Sequence, residues 1–267
     1  MNERTEVADA RPSGRRLALG AGIMGVVGIL KMLMQAATLP IMARLLGPSE
    51  LGLYALAFPI VAFVTMLADG GLGISLAREP LNSPVWSTAF WVLLLAGVFL
   101  SIVLTGIGFG EGYILHQPRI PGLMAALSVT VVLLTITVPS TARLDRHGRF
   151  GIGPIGDLVG NMIGMAVGVI CAFRGDGAWS LAAQYLTVFF VRSVIINYLG
   201  FAWPKMEFYP RLLLTHIATG GLLVASRMTD YFTRTVENLV VGQALGTATL
   251  GQYAFSTQIT RYLGEMV

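Results

Sequence analysis

Long apolar runs without a charged residue, separated by short basic or Gly/Pro-containing segments, set the pattern of this chain, most clearly from Pro80 to Gly110 and from Ile120 to Ala142. A helix crosses the hydrocarbon of a bilayer in about 20 apolar residues at about 1.5 Å rise each. On that measure the pattern predicts spans at Leu17 to Ala43, Leu51 to Leu76, Val85 to Phe109, Ile120 to Thr141, Ile152 to Phe173, Ala178 to Phe201, Leu212 to Val241 and Ala248 onward. No ten-residue stretch alternates with period two, which argues against a β-barrel. The expected fold is an all-α polytopic membrane protein of about eight transmembrane helices. Pro40 and Pro59 fall inside the first two spans and are expected to kink them.

Composition strengthens the membrane assignment. Charged residues make up 12% of the 267, against about 25% in soluble domains. The mean hydropathy is +0.72, too apolar for a globule wetted on all sides. A single cysteine, Cys171, excludes an intrachain disulfide and a cysteine-based zinc cluster, and His116, His147 and His216 are far apart. No metal or cofactor is expected. A net charge of +4 fits basic loops on anionic membrane lipids, and nucleic acid is not an expected partner.

Lys and Arg in the loops set the orientation. With the amino terminus in the cytoplasm, the inside loops hold Arg4, Arg11, Arg15, Arg16, Arg78, Arg143, Arg146, Arg149, Lys205 and Arg211, and the outside loops hold Arg44, Arg119 and Arg174, a bias of ten to three. Gly14-Arg15-Arg16 followed by an apolar run also has the form of a signal peptide. Removing that span would invert the charge bias of the remainder, so a retained first helix is preferred. The expected organisation is a cytoplasmic tail over 1–16, a first six-helix lobe over 17–203, a cytoplasmic inter-lobe linker over 204–211, and the start of a second, incomplete lobe over 212–267.

The second lobe is inferred from an internal repeat. LGPSELGLYALAFPI at 46–60 matches LGTATLGQYAFSTQI at 245–259, with seven identities in fifteen positions, among them Gly47/Gly246, Gly52/Gly251 and Tyr54/Tyr253. The copies stand six spans apart, so the repeat is parallel. The chain reaches Val267 partway through the second copy's second helix. The expectation is therefore a fragment, or a short form whose cavity is completed by a missing second lobe or a second copy of the chain.

TLPIMARLLGPSELGLYALAFPIVAFVTMLADGGLGISLAR and DYFTRTVENLVVGQALGTATLGQYAFS resemble the first-helices region and the seventh-helix region of the polysaccharide-transport branch of the multidrug/oligosaccharidyl-lipid/polysaccharide exporter superfamily. That branch includes O-antigen and exopolysaccharide repeat-unit flippases of lipopolysaccharide and polysaccharide biosynthesis. The resemblance implies two six-helix bundles around a central cavity with alternating access in the bacterial inner membrane. It also implies a lipid-linked oligosaccharide, carried on undecaprenyl pyrophosphate, as the substrate.

Ionisable residues inside spans are costly and face a partner or a wet cavity. Lys31, Asp69, Asp157, Arg192, Arg227, Asp230, Arg234 and Glu237 are such residues. Lys31, Gln35 and Thr38 recur at helical spacing as one polar stripe, as do Arg227, Asp230, Arg234 and Glu237. Lys31, Arg192, Arg227 and Arg234 are candidate lumen cations for a pyrophosphate. For the seventh-span stripe, pairing along the helix with Asp230 and Glu237 stands equally open. Lys31 and Arg192 have no opposite charge within one turn, which favours the lumen. Asp69 and Asp157 are expected as counterions, with coupling to H+ or Na+ the alternative. Gly156, Gly160, Gly164 and Gly168 recur every four residues and signify helix packing without chemistry. The basic loop from Arg143 to Arg149 is read as topogenic and lipid-facing.

No Gly-Lys-Ser/Thr phosphate loop occurs. A secondary transporter is thus the leading expectation, with a cation-coupled drug exporter of the same superfamily as the alternative. A membrane glycosyl- or acyltransferase has only Asp145 with His147 to offer, and no enzyme activity is expected.

Overall fold

The computed structural model describes residues 14–68, 70–80, 83–201, 203–205, 209, 220–222, 224–226, 228, 229, 231 and 233, and these contain helices and no strands. The helices are α1 (Gly14–Ala68), α2 (Leu72–Leu76), α3 (Val85–Ile114), α4 (Ile120–Arg146), α5 (Ile152–Arg174) and α6 (Ala178–Gly200). Five segments among the described residues are long and apolar enough to cross a membrane: Pro40–Leu76, Val85–Ile114, Ile120–Arg146, Ile152–Arg174 and Ala178–Gly200. A shorter apolar stretch, Gly25–Thr38, precedes them. The protein is a multi-pass membrane protein. The seventh and eighth expected spans lie largely outside the described residues, of which 220–222, 224–226, 228, 229, 231 and 233 are helical.

The first two expected spans are one helix broken at a single residue. Gly47 takes φ 77°, ψ 169° and is the one position of α1 outside helical φ/ψ. A Cβ would be strained there, which explains the glycine of the LGPSELG motif, and Pro48 restarts the helix with φ already set. Pro40 and Pro59 stay within helical φ/ψ, so the break is at the glycine rather than at the prolines. The second arm ends at Ala68, eight residues before the expected boundary, because Gly70 and Gly71 both take positive φ (59° and 62°). A Cβ on Gly71 would lie 2.6 Å from the Gly220 carbonyl oxygen, so this apolar Gly-Gly is a tight turn crossed by the chain beyond the linker. Helix α3 runs five residues past the expected Phe109 and α4 five past Thr141.

Helix α4 is the centre of the bundle. Half of its most apolar stretch is buried inside the protein, against 22–33% for the other spans. Ile120, Leu123, Met124, Leu127 and Val131 of α4 form one core with Leu53, Ala57, Val61 and Val64 of α1, Leu104 of α3, and Ala178 and Ala182 of α6. The α1 members recur at i, i+4, i+8 and i+11, one helical stripe. Hydroxyls of α4 satisfy themselves on the preceding turn, as in Thr130 Oγ1 to Leu127 O at 2.6 Å and Thr135 Oγ1 to Val132 O at 3.0 Å. Others join helices: Thr137 Oγ1 donates to Ser193 Oγ at 3.0 Å and Ser140 Oγ to Asn197 Oδ1 at 2.7 Å.

Glycine faces allow the closest approaches. Gly156, Gly160, Gly164 and Gly168 are all buried on one side of α5. A Cβ on Gly160 would stand 2.7 Å from the Val188 carbonyl oxygen, and on Gly164 2.8 Å from that of Gln184. The stripe read from the sequence as packing therefore packs against α6. Gly108 and Gly112 of α3 do the same against Met124 and Pro121 of α4. After α6 the chain turns extended at Phe201 and runs beside the start of α3. Lys205 N donates to Ser87 Oγ at 3.0 Å and Tyr209 N to Thr88 Oγ1 at 3.1 Å. Arg143, assigned from the sequence to a lipid-facing cluster, is instead half-buried, with its guanidinium 5.7 Å over the Trp86 ring.

Candidate functional site

The α5–α6 contact brings the membrane-embedded charges together. Asp157 and Asn161 follow Gly156 and Gly160 by one residue each, so they sit beside the glycine face on the edge of the α5–α6 seam. The aliphatic stem of Arg192 passes 3.9 Å from where a Gly156 Cβ would be, and its Nε lies 2.9 Å from Asp157 Oδ1. That N–H is not aimed at the oxygen, so the contact is an ion pair without hydrogen-bond alignment. From the first arm of α1, Lys31 Nζ lies 3.8 Å from the other oxygen, Oδ2. Asn161 Nδ2 donates to the Asp157 backbone carbonyl at 2.7 Å.

The structure therefore supplies what the local sequence of Lys31 and Arg192 lacks. Both cations share one carboxylate from a third helix, and the group carries a net charge of +1. The two pairs differ in strength. A unit-charge pair at 4 Å is worth about 1 kcal/mol in water and about 4 kcal/mol at an effective dielectric constant of 20. Lys31 is 37% exposed and Asp157 28%, which puts the longer pair toward the weaker limit. Arg192, 24% exposed and at 2.9 Å, is held more firmly.

Around these charges lies a cavity of ≈ 890 Å³ between both arms of α1 and helices α5 and α6, at the upper end of the usual range for small-molecule sites. The whole first-span stripe, Lys31, Gln35 and Thr38, lines it, together with Asp157, Asn161 and Arg192. Its remaining walls are mainly apolar and aromatic. Thr38 Oγ1 is satisfied by the Met34 carbonyl at 2.7 Å, leaving its lone pairs toward other partners.

Asp69, Arg227, Asp230, Arg234 and Glu237 lie outside the described residues. Tyr231, within the same segment, is described: its hydroxyl donates to the Pro59 carbonyl at 3.3 Å and its ring tilts against Phe63 at 5.6 Å. Pro59 itself lines the cavity. Asp145 and His147, the weak catalytic candidates, are not among the residues lining it, and His147 Nδ1 is 2.7 Å from the Arg143 carbonyl of its own helix.

Sequence reasoning missed two groups. The first is a wall of rings: Tyr54 and Phe58 from α1, Tyr185 and Phe189 from α6. Its signal was present, as Tyr-x3-Phe in both helices, which stacks two rings on one face. The second is Glu50, whose carboxylate accepts from Arg119 at 2.7 and 3.1 Å and from the Ala178 backbone N–H at 2.7 Å. In the repeat Glu50 aligns with Thr249, so matched identities did not point to it.

Comparison with known proteins agrees with this architecture. The chain is 22% identical over 231 residues to the succinoglycan biosynthesis transport protein ExoT of Rhizobium meliloti (strain 1021), covering 86% of this chain and 47% of that protein. It is 22% identical over 226 residues to the lipopolysaccharide biosynthesis protein WzxC of Escherichia coli (strain K12), covering 80% of this chain and 44% of that protein. The chain thus spans about half the length of the curated relatives it matches. Among solved structures, a MOP superfamily transporter from Pyrococcus furiosus aligns with a TM-score of 0.63 at 15% identity, over 91% of this chain and 60% of that one. That likeness shows the fold. Residues 41–267 match the family described as polysaccharide biosynthesis protein, and the chain belongs to that family.

Proposed function

We propose that this chain forms the first-lobe part of a secondary transporter that moves glycan units linked to undecaprenyl pyrophosphate across the bacterial inner membrane by alternating access. The observation that carries the reading is the convergence of Lys31 and Arg192 on one carboxylate inside a large, mostly apolar cavity of a membrane protein. A pyrophosphate brings more negative charge than the single Asp157 carboxylate and can accept from Arg192 in bidentate fashion. Asp157 is then a placeholder: it keeps two half-buried cations paired when no phosphate is bound and gives them up when phosphate enters. The names of the relatives, transport and biosynthesis of polysaccharides, support the same substrate class.

The test is binding of undecaprenyl pyrophosphate to the purified chain in lipid nanodiscs. Wild type is expected to bind, and Arg192→Ala to bind about tenfold or more weakly, the loss of one charge-assisted contact. Asp157→Asn is expected to bind tighter by several-fold, because the competing carboxylate is gone. No binding by wild type, or weaker binding by Asp157→Asn, would sink this reading.

The same reading places the amino terminus in the cytoplasm, motivated by the ten-to-three loop bias. In a Cys171→Ser background, Arg146→Cys is expected to react with an impermeant thiol reagent only from the cytoplasmic side. Gln117→Cys, in the exposed turn between α3 and α4, is expected to react only from the periplasm. The opposite pattern would invert the model of entry and exit.

A further inference from the structure

We propose that Tyr54, Phe58, Tyr185 and Phe189 form a sugar-stacking platform in the cavity, set apart from the Lys31–Asp157–Arg192 charges, so that the site reads the glycan as well as its anionic anchor. The inference rests on the transport reading above and adds the residues that would determine specificity.

The four rings are continuous across two helices. Tyr54 stacks on Phe58 with centroids 5.1 Å apart and an interplanar angle of 23°. Phe58 meets Tyr185 edge-on at 5.2 Å, and Tyr185 meets Phe189 at 4.8 Å. Rings that only fill a core are enclosed, yet all four of these are partly exposed and all four line the cavity. An aromatic face carries partial negative charge, which matches the weakly positive C–H face of a pyranose. A polyprenyl chain has no such preference and finds apolar surface on the lipid side of any helix.

A sugar also needs hydrogen-bonding groups at the edge of its stacking face. Gln184 precedes Tyr185 on α6 and lines the same cavity. Asn161 of α5 and Thr38 of the first arm of α1 line it as well.

Spacing separates the two parts of the site. On α6, Phe189 and Tyr185 precede Arg192 by three and seven residues, about 4.5 and 10 Å along the axis on nearly one face. An anion held at Arg192 would place the sugars attached to it over these rings, toward the end of the bundle marked by Gly47 and Gly177.

Two probes distinguish the parts: undecaprenyl pyrophosphate, and the same lipid carrying a neutral disaccharide, each titrated against the full chain in nanodiscs. Wild type is expected to bind the glycosylated probe about tenfold tighter than the bare one, a readout that needs no variant. Phe58→Leu and Phe189→Leu, which keep apolar volume, are expected to remove most of that difference while changing affinity for the bare lipid less than about twofold. Tyr185→Phe keeps the ring and is expected to keep the preference. Equal wild-type affinity for the two probes, or equal losses for both in the leucine variants, would overturn the platform while leaving the cationic site standing. Failure of wild type to bind either probe would overturn the transport reading itself and the platform with it.

Discussion

Gly164→Val is expected to destabilise the protein by about 3 kcal/mol or more and to abolish undecaprenyl pyrophosphate binding. At Gly164 a Cβ would lie 2.6 Å from Val188 Cγ2 and 2.8 Å from the Gln184 carbonyl oxygen. The Val188 side chain can rotate, but the backbone of α6 has to move as a whole. Because α5 carries Asp157 and α6 carries Arg192, a displaced seam also pulls apart the ion pair at 2.9 Å. Gly153→Ala provides the contrast. Nothing lies within 4 Å of a Cβ there, so alanine should be neutral or stabilising by up to about 1 kcal/mol through helix propensity. Thermal unfolding in detergent, followed by loss of the monodisperse peak, reads both. A Gly164→Val protein that melts like wild type would show that the glycine face is not what sets the α5–α6 distance.

The polar stripe of Lys31, Gln35 and Thr38 was legible because helical periodicity on an otherwise apolar span is a local signal, and the structure puts all three on the cavity. Asp157 was expected as a counterion but not as that of Lys31, which it reaches from another helix, a tertiary contact that spacing along α1 cannot encode. The glycine spacing on α5 announced close packing without saying which helix fills the groove. Boundaries failed where hydropathy and backbone geometry part company. Gly70-Gly71 looks like apolar span but turns the chain, and Glu111 looks like an end although α3 continues to Ile114. The ring wall was hidden for a different reason. Tyr and Phe four residues apart read as ordinary apolar filler until two such pairs, 131 positions apart from Tyr54 to Tyr185, meet around one cavity.

Glu50→Ala is expected to lower stability by about 2 kcal/mol, more than the loss of its salt-bridge partner. The first residue of α6, Ala178, is fully buried, and α6 has no side-chain cap of its own: its N-cap is Gly177 at φ 57°. Glu50 supplies the acceptor from 128 residues away, at 2.7 Å from the Ala178 nitrogen, and places a negative charge at a helix N-terminus. Removing it leaves a buried N–H without an acceptor, which costs about 1–3 kcal/mol. Arg119, by contrast, is 46% exposed, and an exposed ion pair is worth about 0–1 kcal/mol. The expected order of destabilisation is therefore Glu50→Ala first, with Glu50→Gln and Arg119→Ala well below it, because glutamine still offers an oxygen to Ala178. The consequence reaches the cavity. Glu50 stands three residues after the Gly47 break and one turn before Tyr54, so it pins the start of the second arm of α1 against α4 and α6. Without it, amide hydrogen exchange at Ala178 to Ser180 and at Leu51 to Ala55 should rise together, whereas Arg119→Ala should leave both close to wild type. Equal destabilisation by Glu50→Ala and Arg119→Ala would mean that the ion pair, rather than the cap, ties the three helices together.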